Sequence, residues 1–186
     1  MTAAPDLENG PSHWVFGYGS LIWHPGFPFV GKAEALLKGA HRSLCLYSHR
    51  HRGTAERPGL VFGLVRGGSC RGMAFEVAGA DWPEVREYLR RREQVTSAYK
   101  PAMRPLRLSG DRRVSALTFV VDETHVQFAG RLSLAEQLNI VRGAHGESGP
   151  NSEYVIKTVQ HLLEMGIRDP QLVELAQLLE AFHVPA

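Results

Sequence analysis

Residues 14–23 read Trp14-Val15-Phe16-Gly17-Tyr18-Gly19-Ser20-Leu21-Ile22-Trp23. The first four make an apolar run closed by glycine, which predicts a short buried strand. Glycines at alternate positions follow, so the backbone can turn sharply and a ligand can approach main-chain N–H groups. Successive amides in such a turn form a concavity suited to a carboxylate. An ordinary Gly-rich turn has the same spacing, and both readings stand.

Outward from this stretch, strand-like text continues to Val121. Residues 41–48, 60–65 and 72–77 read as strands, with Gly67-Gly68-Ser69 predicting a hairpin turn between the last two. Residues 102–108 and 114–121 predict another hairpin across Ser109-Gly110-Asp111. One helix interrupts: Asp81 is its N-cap, Glu84 completes a capping-box pattern, and Pro83 falls in the first turn, where amides lack intrahelical partners. It runs to about Glu93. After Gly130 the period becomes helical. Ser133 with Glu136 predicts a capped helix, and Asn151 predicts the cap of another that stops at Gly166. Asp169-Pro170 opens the last, which runs to about Phe182. The sum is an α+β fold: a small mixed, largely antiparallel sheet or barrel, one packed helix, and a helical C-terminal third. Residues 1–12 read as a disordered leader, and 13–183 as a single domain.

With 44% hydrophobic and 22% charged residues among 186, the chain has the composition of a globular domain. That excludes wholesale disorder, collagen-like repeats and a small disulfide scaffold. No apolar run approaches a membrane span, and the start Met1-Thr2-Ala3-Ala4-Pro5 has neither the basic nor the apolar stretch of a secretion signal. Lys plus Arg is 21 against 19 Asp plus Glu, whereas a nucleic-acid binder shows a clustered basic excess. Cys45 and Cys70 have no paired-motif spacing and read as reduced, buried thiols of a cytoplasmic protein, with a disulfide as the alternative.

Glu93 is the first candidate for chemistry. Trp82, Val85 and Leu89 make one apolar helical stripe, and Glu93 continues it. A carboxylate on a buried face is costly unless it has partners or a raised pKa, and a raised pKa suits a general base near neutral pH. A salt bridge with Arg52 or Arg104, or a frayed helix end, accounts for the same placement. In His49-Arg50-His51-Arg52-Gly53-Thr54, the two histidines would share one face of a strand. No third ligand has matching spacing, so no metal is expected; the run reads as a solvated basic loop or a clamp for a substrate carboxylate. Ser20 lies in a Gly-flanked turn, but Leu21-Ile22 breaks the Gly-x-Ser-x-Gly elbow of hydrolases. No dinucleotide fingerprint or phosphate loop occurs.

Together these pieces resemble the ChaC-like γ-glutamylcyclotransferases, in the glutathione-specific branch. The resemblance rests on residues 14–23, on His51-Arg52-Gly53-Thr54 followed by Pro58-Gly59, and on Gly72-Met73-Ala74-Phe75. It continues through Tyr88-Leu89, Arg92-Glu93 and Tyr99 to Gly149-Pro150-Asn151-Ser152-Glu153-Tyr154. Where relatives often have Gly-Gly-Tyr, this chain has Ser97-Ala98-Tyr99. The resemblance implies a β-barrel of the γ-glutamylcyclotransferase type. It implies a lyase that releases 5-oxoproline and Cys-Gly from glutathione, with Glu93 as general acid and base. Tyr18, Gly19, Ser20 and Leu21 would hold the substrate's α-carboxylate, and Arg52, Tyr99 and Tyr154 would supply further contacts. It implies no cofactor and no metal, a small-molecule substrate as partner, and neither nucleic acid nor membrane; oligomeric state is left open. The alternatives are another γ-glutamyl amine or dipeptide as substrate, a non-catalytic γ-glutamyl-binding regulatory module, and an arginine-based nucleic-acid binder.

Overall fold

The computed structural model describes residues 11–93 and 97–182. Ten residues of the expected leader, and His183 at the end of the expected domain, lie outside the described residues. The β elements are β1 (His13–Gly17), β2 (Gly31–Ser48), β3 (Gly59–Val77), β4 (Tyr99–Leu108) and β5 (Arg113–Val121), with a short pair β6 (His145–Gly146) and β7 (Gly149–Pro150). The helices are α1 (Trp82–Glu93), α2 (Leu134–Val141), α3 (Asn151–Glu164) and α4 (Pro170–Ala181).

Five strands close a barrel in the order β1-β3-β2-β4-β5. Four of its five seams are antiparallel, and at the closing one β1 runs parallel to β5 at Trp14↔Ala116 and Val15↔Leu117. Closure removes the free edges that an open sheet would expose. Val85 and Leu89 of α1 bury against Val15, Phe75, Leu117 and Phe119. Each such side chain contributes about 1.5–3 kcal/mol, so the stripe fixes which face of α1 meets the barrel. Tyr154, Val155, Val159 and Leu162 of α3 join Leu172, Leu175 and Leu179 of α4 in the larger core with Phe16, Leu60 and Phe62.

Several expected punctuation marks hold. Ser133 and Glu136 form the capping box: the Ser133 amide donates to the Glu136 carboxylate at 2.7 Å, and the Glu136 amide to Ser133 Oγ at 3.3 Å. The Asp169 carboxylate accepts from the Leu172 amide at 3.2 Å. Gly166, at φ +63°, ends α3, with the Ile167 amide donating to the Leu162 carbonyl at 2.8 Å.

Three expectations are corrected. Gly67-Gly68-Ser69 is not a hairpin turn, because β3 runs through it as one 19-residue strand. Lys38 faces Ser69 and Ala40 faces Arg66, so Gly67 and Gly68 together oppose the lone Gly39. All three glycines have positive φ, which absorbs the extra residue as a bulge. The turn between β2 and β3 lies instead in residues 49–58. His49 and His51 therefore do not share a strand face, since β2 ends at Ser48. Asn151 does not cap α3 with its side chain. Its amide group bonds both polar groups of Leu60, accepting from the N–H and donating to the C=O, each at 2.7 Å.

Candidate active site

The end of β1, the C-terminal turn of α1, the loop after β2 and the first turns of α3 meet around a cavity of about 540 Å³. Tyr18, Gly19, Ser20, Leu21, Arg52, Glu93, Tyr99 and Tyr154, all eight residues singled out from sequence, line it. Among the described residues, the clefts include no group of three His, Cys, Asp or Glu side chains that could hold a metal ion.

The Gly-rich turn is shaped by close approach. A side chain at Gly17 would press on Leu21 Cβ at 2.9 Å, so only glycine lets the chain double back here. The turn winds into a single 3₁₀ turn at Ser20–Ile22, with the Ile22 amide donating to the Gly19 carbonyl at 3.0 Å and the His24 amide to the Ser20 carbonyl at 2.7 Å. The amides of Gly19, Ser20 and Leu21 have no main-chain acceptor among the described residues. They are donors beside the cavity. Arg42 braces the turn from β2, its Nε donating to the Tyr18 carbonyl and its Nη2 to the Arg71 carbonyl.

Glu93 closes α1 with its side chain 16% exposed. Burial pushes its pKa up from the ordinary carboxylate value, against the opposing pull of Arg92. The ion-pair partner is Arg92, with Nε 3.3 Å from Oε1; Arg52 and Arg104, the partners weighed from sequence, do not fill that place. Arg104 is exposed on β4.

Three tyrosines surround the carboxylate, and burial drives each phenol upward. Tyr154 reaches about 12, and Tyr18 and Tyr99 rise well above their usual value. All three are neutral at physiological pH. Tyr18 donates to the Phe119 carbonyl at 2.9 Å, and Tyr99 to the Phe62 carbonyl at 2.6 Å. Tyr154 instead accepts, from the Phe62 amide at 3.1 Å, which leaves its own O–H as a donor. A Cβ placed on Gly19 would sit 3.5 Å from the Tyr154 hydroxyl, so that donor lies beside the Gly-rich turn.

Arg52 stands at the other wall. Its guanidinium lies over the Tyr154 ring, 5.1 Å from the centroid, and Nη1 donates to the Pro150 carbonyl at 3.3 Å. No carboxylate pairs with it among the described residues. Gly53 and Gly59 make this placement possible: a side chain on Gly59 would collide with the Arg52 carbonyl, and one on Gly53 with the Gly59 amide. The Arg50–Glu147 ion pair at 2.8 Å and the Ser148 amide donating to the His51 carbonyl at 2.9 Å fasten the loop to the β6–β7 pair.

Sequence reading passed over Arg92. Its Nη2 donates to Ser20 Oγ at 2.9 Å, and its Nη1 to the His24 carbonyl at 2.8 Å and the Tyr88 hydroxyl at 2.8 Å. It lies seven residues after Val85 and three after Leu89, beside the apolar stripe, but that position names no partner. Only the fold of the distant turn at 18–26 shows what it reaches.

Comparisons with known proteins find relatives over most of the chain. The family model described as ChaC-like protein matches residues 13–182. The chain is 32% identical over 174 residues to the glutathione-specific gamma-glutamylcyclotransferase of Escherichia coli (strain K12), spanning 94% of this chain and 75% of that one. It is 31% identical over 183 residues to glutathione-specific gamma-glutamylcyclotransferase 1 of Danio rerio, spanning 95% and 93%. In fold it resembles a solved gamma-glutamyl cyclotransferase specific to glutathione from yeast, with a TM-score of 0.84 at 24% identity over 93% of this chain and 97% of that one.

Proposed function

The chain belongs to the ChaC-like family, and from that membership we propose that it is a glutathione-specific γ-glutamylcyclotransferase, converting glutathione to 5-oxoproline and Cys-Gly. One observation carries the reading: the half-buried Glu93 carboxylate and the free amides of the Gly-rich turn line the same cavity, joined through Arg92.

The substrate's α-carboxylate sits on the amides of Gly19, Ser20 and Leu21, beside Tyr18. Its α-ammonium then faces Glu93, which takes a proton. The freed amine attacks the δ-carbonyl and closes a five-membered ring. The C–N bond to the cysteinyl residue breaks as Glu93 returns a proton to the departing nitrogen. The ring nitrogen gives up two hydrogens in all, and the leaving amine gains two on becoming an ammonium, so the exchange balances without water or a redox partner. A carboxyl whose pKa is raised by burial suits both proton transfers. The nucleophile is already in the substrate, and well-aligned intramolecular attack reaches effective molarities of roughly 10⁵ M or more. The main work of the site is to hold the γ-glutamyl chain curled.

Tyr154 offers its O–H to the bound γ-glutamyl group, Tyr99 walls the pocket, and Arg52 takes the carboxylate at the glycine end. This chemistry needs a small-molecule substrate and no nucleic acid or membrane. We assign it to the cytoplasm, where glutathione is abundant and buried thiols stay reduced.

Purified protein given glutathione should release 5-oxoproline, and Glu93→Gln should lose roughly 10²–10⁴-fold of that activity while still binding glutathione. Near-normal turnover by Glu93→Gln would reject Glu93 as the base. Turnover of γ-glutamyl amines but not glutathione would change the substrate, and tight binding without turnover would make the chain a regulatory module.

A further inference from the structure

We propose that Arg92 is the positioning residue of this site, one guanidinium locking the Glu93 carboxylate to the Gly-rich turn so that base and carboxylate cradle address a single substrate. The inference rests on the proposed reaction but concerns a residue that touches neither reacting bond.

Successive helical side chains leave the axis about 100° apart, so Arg92 and Glu93 flank the buried stripe of Val85 and Leu89 from its two sides. The guanidinium nevertheless comes round to the carboxylate, and the arginine side chain keeps only 19% of its surface exposed. Its nitrogens divide the work. Nε faces Glu93 Oε1 at 3.3 Å. Nη2 donates to Ser20 Oγ at 2.9 Å. Nη1 donates to the His24 carbonyl at 2.8 Å, the Pro25 carbonyl at 3.3 Å and the Tyr88 hydroxyl at 2.8 Å. Gly26, at φ +72°, lets that segment press against Tyr88, where any side chain would collide with the phenol. The turn is therefore gripped between two residues of α1 that lie one helical turn apart.

The division has a chemical consequence. A bidentate arginine would hold a carboxylate strongly in its ionised form, which suits a structural ion pair and not a group that must also carry a proton. Here only Nε stands within ion-pair distance of Glu93, and the two Nη nitrogens donate to neutral oxygens. Burial therefore still outweighs the cation, and the carboxyl stays above its ordinary value. The other groups facing Glu93 are Tyr18, Tyr99 and Tyr154, from the β1 turn, β4 and α3. All are neutral phenols through the working pH range, so Arg92 is the charge that sets where Glu93 titrates. A lysine supplies that charge but not a planar fork.

The test compares Arg92→Gln and Arg92→Lys with the wild type. For each, kcat and KM for glutathione are measured across pH, and the Glu93 carboxyl is titrated by ¹³C NMR without substrate. In Arg92→Gln, removing the cation should move the Glu93 titration, and the acid limb of kcat/KM with it, to higher pH. KM should rise roughly tenfold as the turn loosens. Arg92→Lys should keep the titration near wild type yet still raise KM. An unmoved Glu93 titration and an unchanged KM in Arg92→Gln overturn the proposal, as does an equal drop in kcat in both variants with no change in pH profile, which is the mark of a merely structural residue. A wild-type protein that releases no 5-oxoproline sinks the proposed function, whereas the substrate-free titration still decides whether Arg92 governs Glu93.

Discussion

Burial of Glu93 has a cost that the fold carries. Its pKa is raised on folding because the ionised form loses hydration, Arg92 compensating in part. The folded state therefore holds the Glu93 proton more tightly than the unfolded chain does. The stability this contributes is fully present below the unfolded value and is lost as pH rises through the folded one. Glu93→Gln removes the titration and keeps the shape. Its stability relative to wild type should improve as pH rises from about 4 to about 8, with the thermal midpoints diverging in favour of the variant. A stability gain that accompanies loss of turnover is the expected signature of a strained functional site. If the gap between the two melting curves were the same at both pH values, burial of charge would not be what raises the Glu93 pKa. The placement of this residue was legible in sequence, since the stripe of Trp82, Val85 and Leu89 points it inward. Its partner was not legible, because the turn that Arg92 grips is 68 residues away in sequence.

At the scale of elements, the same division between local and distant determinants recurs. The capping box of α2, the Asp169 cap of α4 and the Gly166 stop of α3 were read correctly because each is closed within a few residues. Gly67-Gly68 was misread because glycine pairs mark turns and bulges alike. Which one forms depends on the register of a partner strand, and here Gly39 supplies the bulge's other side. Asn151 was misread for the same reason. It begins a helix, as a cap should, but its side chain is fully buried and mimics a strand for Leu60, 91 residues away. That pair of hydrogen bonds stitches α3 to β3 and so places Tyr154, three residues on, against the cavity. Asn151→Ala leaves a buried N–H and a buried C=O without partners. At about 1–3 kcal/mol for each orphaned group, the variant should lose about 3 kcal/mol, or roughly 6–12 °C in midpoint for a chain of this size. Urea titration checks it, and a loss below about 1 kcal/mol would mean that the helix is held to the barrel by its apolar face alone.

The whole molecule behaves as one closed object because its barrel has no edge strand and its helical third shares a core with the barrel wall. The two cysteines report on that unity. Leu37 faces Cys70 across the β2–β3 ladder, so Cys70 pairs with β2 eight residues before Cys45. Both are free and buried, and the disulfide that the sequence left open does not form. Burial pushes the Cys45 thiol up to about 12 and raises Cys70 as well. Thiolate is the reactive form, so neither should react with a thiol reagent while the barrel is closed. Because the cysteines lie in β2 and β3, the longest ladder of the fold, exposing either requires opening the barrel itself. The two thiols should therefore label together, at a rate that follows the unfolding equilibrium and rises in step with added urea. Mass spectrometry during labelling separates the outcomes: a direct passage from the unlabelled to the doubly labelled species supports a single cooperative unit. A long-lived singly labelled species would show that one end of the ladder opens on its own, and that the site at the other end does not depend on the whole barrel.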